Sequence, residues 1–235
     1  MAKTSSSRAG SCSPPTAYVA PTKDADANAI RADVTIDHLI TVRDLAAVDT
    51  ADGVMFDVDT VTVHEIREHA DYPGYRVRLT AGIGRWQGIA AWDVSTGDPI
   101  VPAPRTVRLD RVLGDPIELL GYARETTIAE KGVTILERGI TSTRWRDYID
   151  IVQLARHGID TADLRRSADA VARYRGVALE PVGPHLADYG RVGQAKWAAW
   201  RRKGRLEAVS EDLLDDQVAL VAGILDPVFG SAHPR

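Results

Sequence analysis

The sequence predicts a mixed α/β (α+β) fold in which a mixed sheet with flanking helices is followed by a helical bundle. Segments in which apolar and polar residues alternate, as in half-buried strands, stop at about residue 110. Apolar residues then recur at the three- and four-residue spacing of amphipathic helices up to residue 225. This order, with strands first and helices afterwards, is typical of an α+β architecture.

The composition is that of an ordinary globular protein and excludes several structural and functional classes of protein. Of the 235 residues, 44% are hydrophobic and 26% are charged, and the formal net charge is −4. This charge excludes nucleic-acid binding through an overall basic field, so any such role requires a local basic patch. The single cysteine, Cys12, excludes a disulfide framework within one chain. Because no apolar run is long enough to span a membrane and no signal peptide is recognisable, we expect a cytoplasmic protein without membrane contact.

The patterns divide the chain into three parts. Residues 1–21 are rich in Ser, Ala and Pro, lack periodicity, and are expected to be disordered. Residues 22–122 are assigned to an α/β domain and residues 123–235 to a helical domain. The predicted elements of the first domain are a helix over 33–47, strands over 54–66 and 75–80, a strand from residue 89, a short strand over 106–109, and a short helix over 114–121. The predicted inward residues of the first helix are Ile36, Leu39, Ile40 and Leu45.

The helical domain opens with two helices that form a hairpin. Gly139 and the run Thr141-Ser142-Thr143 separate them as a C-cap followed by an N-cap. If the helices are antiparallel, Lys131 comes near Asp147, and the simplest interpretation is a buried ion pair, since a buried charge needs such a partner. The predicted helices of this domain cover residues 125–138, 144–156, 161–174, 188–207 and 211–225.

A pair of carboxylates marks the start of the α/β domain. Thr22, Asp24 and Asp26 alternate, so that on a strand all three lie on the same face. Carboxylates at this spacing can hold one or two Mg²⁺ ions, which neutralise triphosphate charge and activate an attacking hydroxyl. The alternative is a polar turn, because Asp-Ala-Asp-Ala-Asn is also typical of loops.

A further carboxylate, Asp93, lies on a predicted strand that is otherwise apolar on the same face. Its neighbours at two-residue spacing are Ala91 and Ile89. A carboxylate in such surroundings needs either a hydrogen-bonding partner or a metal ion. Both interpretations stand at this point.

Two short motifs in the helical hairpin resemble a known family. AEK at residues 129–131 and RDYID at residues 146–150, with GITSTR between them, resemble the paired signature of the AbiEii/AbiGii-type nucleotidyltransferase toxins. This group includes the mycobacterial MenT toxins and is part of the polymerase-β-like nucleotidyltransferase superfamily. The segment from Thr22 to Asp26 also resembles the family's strand motif, in which Ser or Thr precedes the first Asp by two residues.

The resemblance implies a Mg²⁺-dependent enzyme that transfers a nucleoside monophosphate from an NTP to an acceptor hydroxyl and releases pyrophosphate. In MenT-type members the acceptor is the 3′ end of tRNA, and the modification blocks translation. Such a protein is the toxin of a toxin–antitoxin pair. The implied partners are therefore an NTP, tRNA or another RNA acceptor, and a cognate antitoxin.

The resemblance also implies roles for individual residues. Asp24 and Asp26 would hold Mg²⁺, and Asp93, which resembles a third carboxylate of the superfamily, would complete the metal set or act as the base. Lys131 would contact a phosphate as a compact point charge, and Asp147 would orient Lys131 or the nucleotide. The other residues expected at the nucleotide site or beside it are Thr22, Asp150, Arg144 and Arg146.

One late helix combines basic and aromatic residues. The predicted RNA-binding residues are Lys196, Arg201, Arg202 and Lys203. Cations of this kind neutralise phosphates, and an aromatic face can stack on an unpaired base. For Trp197 and Trp200, three residues apart, packing into the bundle is slightly favoured over stacking on a base. For the cations, RNA contact is favoured over a solvated helix face because of the function that the resemblance implies.

The first residues depart from the family pattern. The family has a helix and a Gly-Gly or Gly-Ser turn near its start that holds the triphosphate, and residues 1–21 match neither element. Preorganised backbone donors of this kind contribute strongly to phosphoryl transfer. The alternative function is therefore a catalytically impaired remnant of the nucleotidyltransferase fold that binds RNA or an antitoxin without turnover.

Overall fold

The structure is a computed structural model. It describes residues 25–29, 34–48, 50–66, 74–96, 99–110 and 114–230. The prediction for residues 1–21, and those for Thr22 and Asp24, lie outside the described residues.

Among the described residues, four strands form a mixed sheet. They are β1 (Ala25–Ala29), β2 (Val54–Ile66), β3 (Gly74–Ile83) and β4 (Trp86–Thr96), in the spatial order β1-β4-β3-β2. β1 pairs with β4 in parallel, whereas β2 with β3 and β3 with β4 are antiparallel. The predicted mixed sheet is thereby confirmed, and the strand predictions over 54–66 and 75–80 and from residue 89 agree with β2, β3 and β4.

The two faces of the sheet differ in composition, because successive side chains of a strand point to opposite faces. Val77 and Val94 are buried on one face, where Leu39 of a short helix packs against them. On β3, Arg76 and Arg78 alternate with Val77 and therefore lie on the opposite face. This second face also carries Asp93 of β4, which is the register partner of Arg76, and we call it the charged face.

The helix predicted over residues 33–47 is two short helices, α1 (Ile36–Ile40) and α2 (Val42–Ala46). The hydroxyl of Thr41, between them, donates to the carbonyl of His38 at 2.5 Å, and such a local bond competes with the helical pattern. Leu39 is buried as predicted, but the other three predicted inward residues are exposed: Ile36, Ile40 and Leu45.

The short helix predicted over residues 114–121 is wrong. That segment contains β6 (Ile117–Gly121), which pairs antiparallel with β5 (Arg105–Leu109). Gly114 adopts a φ of 83°, which favours glycine, at the turn that precedes β6. The pairing with β5 outweighs the local helical preference, so strands extend to residue 121 rather than stopping at about 110.

The remaining chain is helical, as predicted. The described helices are α3 (Arg124–Arg138), α4 (Trp145–Ala155), α5 (Thr161–Arg175), α6 (Val182–His185), α7 (Tyr189–Gly204) and α8 (Leu214–Phe229). Short 3-10 turns cover Gly139–Thr141 and Glu207–Val209. The predicted helices agree with α3, α4, α5, α7 and α8 to within a few residues at their ends, and α6 was not predicted. Among the described residues, no helix is long and apolar enough to cross a membrane.

The helices share one apolar core, and a glycine allows two of them to approach closely. A Cβ atom on Gly132 of α3 would lie 2.7 Å from Cζ of Phe229 and 3.0 Å from Cδ1 of Leu225, both on α8. α8 therefore packs directly on the backbone of α3, one residue after Lys131. This packing contributes to holding α3, and with it Lys131, in place.

Candidate functional site

Two ion pairs join α3 to α4. The Nζ atom of Lys131 lies 2.9 Å from Oδ1 of Asp147 and 3.0 Å from Oδ2 of Asp150. The two aspartates are three residues apart on α4, so their side chains share one helix face. Asp147 is almost fully buried, with 3% of its side chain exposed. The helical hairpin thus brings together the three charged residues that the sequence singled out.

Two arginines extend this group to five charged residues. Nε of Arg144 donates to Oδ2 of Asp147 at 2.7 Å, and Nε of Arg146 donates to Oδ1 of Asp150 at 3.2 Å. Three cations therefore surround two carboxylates, so these five residues together carry a net positive charge. We call this group of Lys131, Arg144, Arg146, Asp147 and Asp150 the hairpin cluster. Its charge suits a phosphate-bearing ligand.

Lys131 stays protonated in this setting. Burial by itself lowers the pKa of the Lys131 ammonium, but the carboxylates of Asp147 and Asp150 outweigh burial and raise the pKa above its usual value. A lysine of this kind acts as a fixed positive charge and not as a general base at neutral pH.

On the charged face of the sheet, Asp93 has a protein partner. Nε of Arg76 donates to Oδ1 of Asp93 at 2.7 Å, and Nη2 of Arg76 donates to Oδ2 at 2.6 Å. This bidentate arrangement is the strongest geometry of an arginine–carboxylate pair. Asp26 of β1 is the register partner of Asp93 of β4 on the neighbouring parallel strand. The structure thereby places two of the three predicted metal-binding positions side by side.

The donor chemistry at these positions suits Mg²⁺. Carboxylate oxygens are preferred ligands of Mg²⁺, and a carboxylate offers about four lone-pair sites, of which the Arg76 fork occupies two at Asp93. No group of three or more His, Cys, Asp or Glu side chains that could hold a metal is formed among the described residues. Asp24 and the side chain of Asp26 lie outside that description.

The basic helix α7 contains two kinds of cation. Lys196, Arg202 and Lys203 are exposed. Arg201 differs, because only 5% of it is exposed, and its guanidinium donates to the hydroxyl and the carbonyl of Ser210 at 2.8 and 3.0 Å. The structure therefore places Arg201 in the core, where protein acceptors already occupy its donors, and this geometry favours a structural role over RNA contact.

The tryptophans of α7 belong to the interior. Trp197 is fully buried, and its Nε1 donates to the carbonyl of Glu211 at 3.1 Å. Trp200 is half-buried and packs on Trp145 of α4, with ring centroids 5.7 Å apart. The favoured interpretation, packing into the bundle, is confirmed for Trp197. The same contact places α7 beside the start of α4, where Arg144 and Arg146 lie.

Sequence reasoning did not single out Arg76. The signal for it was indirect: Asp93 on an apolar strand face needs a partner, and Arg76 alternates with buried residues on the preceding strand. The sequence by pattern alone does not give the register that makes the two residues neighbours, because register depends on the turn between β3 and β4 together with the burial of the strand faces.

Comparison with known proteins identifies the family. The model of the family described as the nucleotidyl transferase AbiEii toxin, type IV TA system, matches residues 21–218. A crystal structure of a candidate nucleotidyltransferase from H. pylori is similar with 16% identity and a TM-score of 0.45, over 88% of this chain and 78% of that chain. The crystal structure of JHP933 from Helicobacter pylori is similar with 18% identity and a TM-score of 0.40, over 87% of this chain and 73% of that chain. No curated protein matches the chain significantly.

The family match begins before β1 and continues into α8, so it contains the Asp24–Asp26 segment and the whole hairpin cluster. The resemblance noted in the sequence is thereby confirmed. The chain belongs to the AbiEii family of toxin-type nucleotidyl transferases, whose substrate is a nucleotide and whose type IV toxin–antitoxin systems supply an antitoxin as partner.

Proposed function

We propose that this protein transfers a nucleoside monophosphate from an NTP to the 3′-hydroxyl of a tRNA in the cytoplasm and thereby blocks translation. In this reaction the 3′-oxygen attacks the α-phosphorus, a new phosphodiester bond forms, and the bond to the departing pyrophosphate breaks. The observation that carries the proposal is the hairpin cluster, which holds a protonated lysine between two aspartates in the segments that resemble the family's paired signature.

The cations of the hairpin cluster are already held in place, so little reorganisation is needed when a phosphate binds. Lys131 is held by two carboxylates, and 21% of its side chain remains exposed, so a ligand can reach part of this side chain. Asp147 fixes the direction of Lys131, and Arg144 holds the second oxygen of Asp147. Charges that are oriented before the reaction stabilise the negative charge of the transition state most effectively. Asp150, Arg146 and Thr22 are the further residues that we assign to the nucleotide.

The carboxylates of the sheet are assigned to Mg²⁺. Asp24 and Asp26 would hold the ion, and Asp93 would complete the set or accept the proton of the attacking hydroxyl. When bound, Mg²⁺ neutralises triphosphate charge and lowers the barrier to attack. The support for this assignment is the register of β1 and β4, in which Asp26 and Asp93 are partners on adjacent strands.

The acceptor RNA is assigned to the surface of α7. Three exposed cations of this helix, Lys196, Arg202 and Lys203, can neutralise phosphates of a tRNA. α7 contacts the region around the hairpin cluster: Trp200 packs on Trp145, and the hydroxyl of Tyr189 donates to the carbonyl of Ser142. An RNA bound along α7 would therefore lie near the residues that we assign to the nucleotide.

The proposal is tested by label transfer. Purified protein is incubated with total tRNA, Mg²⁺ and each α-labelled NTP in turn, beside Asp24→Ala and Lys131→Ala. We expect label on tRNA that both substitutions abolish, and the NTP that gives it is the donor. If no NTP labels tRNA while a gel shift still shows tRNA binding, the chain is the catalytically impaired remnant and the proposed transfer is wrong.

We expect the substitution of Lys196, Arg202 and Lys203 by glutamine to weaken tRNA binding at least about tenfold, because each cation contributes a phosphate contact. The slope of log affinity against log salt concentration should fall by about 2 to 3 in magnitude, since three counterion-releasing contacts are lost. Fluorescence anisotropy with labelled tRNA at several salt concentrations measures both quantities.

The matched control replaces three exposed arginines elsewhere in the helical half, Arg156, Arg166 and Arg173, by glutamine. This variant loses the same net charge and is expected to keep most of the affinity. Equal weakening in the two triple variants would contradict a specific RNA surface on α7.

A further inference from the structure

Three charged residues occupy one register row across the sheet. Arg76 of β3 is the register partner of Asp93 of β4, and Asp93 is in turn the register partner of Asp26 of β1. The row therefore runs from a cation to two carboxylate-bearing residues, which belong to the metal set under the proposed function. Because Arg76 lies at the end of this row, its positive charge acts on any cation that binds beside Asp93.

The Arg76–Asp93 pair opposes the binding of a bare divalent cation. The fork of Arg76 takes one lone pair from each oxygen of Asp93. Its positive charge also lies within a few ångströms of the place where a metal ion would contact Asp93, and like charges at this separation repel. The repulsion is moderated by solvent, since 42% of the Arg76 side chain and 20% of the Asp93 side chain are exposed.

We propose that Arg76 is a positioning residue that makes metal binding depend on the nucleotide: it opposes the metal ion at Asp93 when the site is empty and donates to a phosphate when the triphosphate arrives. This inference rests on the proposed function.

The chemistry of the guanidinium supports an exchange in which Arg76 leaves the carboxylate of Asp93 and donates to a phosphate. A phosphate presents oxygens that match the arginine fork as well as a carboxylate does. A triphosphate also brings several negative charges, which offset the repulsion between Arg76 and the metal ion. Because the Arg76 side chain is partly exposed, it can reach a ligand on the solvent side without leaving the sheet face. Metal and nucleotide would then bind cooperatively, and each would tighten the binding of the other by the same factor.

The test measures binding rather than turnover. Mn²⁺ serves as the paramagnetic probe, and its free concentration is followed by electron paramagnetic resonance, with and without the α,β-methylene analogues of ATP, CTP, GTP and UTP, which cannot undergo transfer. The Mn²⁺ that each analogue binds by itself is measured in protein-free samples and subtracted. In the wild-type protein we expect weak binding of Mn²⁺ alone and clear tightening by at least one analogue. In Arg76→Gln we expect Mn²⁺ alone to bind about fivefold more tightly or better, and the tightening by the analogue to shrink at least in proportion.

Two further variants separate the effect of the charge of Arg76 from the effect of its position on the strand. Arg78→Gln removes a cation from the same strand and the same face, two residues away, and is expected to change Mn²⁺ binding by less than about twofold. Arg76→Lys keeps the charge without the fork, and is expected to leave the binding of Mn²⁺ alone within about twofold of wild type. Thermal unfolding confirms that each variant is folded.

Several outcomes would overturn the inference. Unchanged or weaker binding of Mn²⁺ alone in folded Arg76→Gln would show that Arg76 does not oppose the metal. Tightening in Arg78→Gln equal to that in Arg76→Gln would show that the effect is one of general charge. If the wild-type protein binds Mn²⁺ no more tightly with any analogue, the metal–nucleotide site is wrong and the proposed function fails with it. If an analogue tightens Mn²⁺ binding as much in Arg76→Gln as in the wild type, only the inference about Arg76 is overturned.

Discussion

Replacing Lys131 by methionine is expected to lower the rate of nucleotide transfer to tRNA by at least about a hundredfold. Methionine retains most of the length of the lysine side chain and removes the charge. The lost ammonium is the point charge that we assign to a phosphate, and loss of one preorganised group of this kind commonly costs about 10²–10³ in rate. The measurement is the initial rate of label transfer at saturating tRNA, with the donor NTP varied so that kcat and KM are separated.

The same substitution should leave the protein folded. Removing one partner of a buried ion pair costs about 3–5 kcal/mol when the other charge is left alone. Asp147, however, keeps Nε of Arg144 at 2.7 Å, and Asp150 keeps Arg146. We therefore expect a loss of unfolding free energy of about 1–2 kcal/mol, measured by denaturant titration. Loss of transfer without loss of folding separates a catalytic role from a structural one.

Glu137→Met is the matched control for Lys131→Met. Glu137 lies on the same helix, is charged and is exposed. Its replacement removes a charge from α3 without touching the hairpin cluster, and the transfer rate is expected to change by less than about threefold. A Lys131→Met protein that retains a third or more of the wild-type rate would show that the Lys131–Asp147 pair serves the fold alone.

Replacing Trp197 by alanine is expected to lower the unfolding free energy by about 3–5 kcal/mol, the usual cost of truncating a buried aromatic side chain. Trp197 is 0% exposed. Its ring stacks on Trp200 at 5.5 Å and meets Trp145 edge-on at 6.4 Å between centroids. The substitution also leaves the carbonyl of Glu211 without the indole N–H that it accepts. Thermal unfolding followed by circular dichroism should show a Tm that is lower by on the order of 10 °C.

Trp200→Ala is the comparison for Trp197→Ala. Trp200 is half-buried and lies at the contact between α7 and α4, so its replacement should cost less, about 1–2 kcal/mol. At a temperature where both variants are folded, Trp197→Ala should bind tRNA with the affinity of the wild type, because a base cannot reach a fully buried ring. Weaker tRNA binding by Trp197→Ala with an unchanged Tm would show that the ring stacks on RNA and is not part of the core.

Much of the helical half could be predicted from the sequence because its signals are local. The apolar spacing of α3 and α4, with Gly139 between them, predicts both helices to within a few residues. Two helices joined by a short turn pack antiparallel, so Lys131 and Asp147 come together almost irrespective of the rest of the fold. The residues that carry the family resemblance are local too, which explains why the resemblance was visible before the structure.

The errors arose where pairing between distant segments decides the outcome. IELLG has no strong preference for a strand, and it becomes β6 because β5 is available as its partner. The first helix is interrupted at Thr41, where the side chain bonds back to His38. Arg201 belongs to a basic run in the sequence, but its buried guanidinium donates to Ser210 and forms an ion pair with the exposed carboxylate of Asp212. Basic residues next to each other in sequence thus differ in burial: Arg201 is buried, whereas Arg202 and Lys203 are exposed.

The class of fold, the helical hairpin with its Lys131–Asp147 pair, and the family could all be inferred from the amino-acid sequence, because each depends on patterns or motifs that are local in the chain. The residues that share the sheet face with Asp93 could be identified only from the folded structure. Arg76 lies 17 residues before Asp93, and Asp26 belongs to a parallel strand with a long connection. Register across a sheet is set by the cooperative burial of whole strand faces, and a shift of one residue would have moved Arg76 to the opposite face from Asp93.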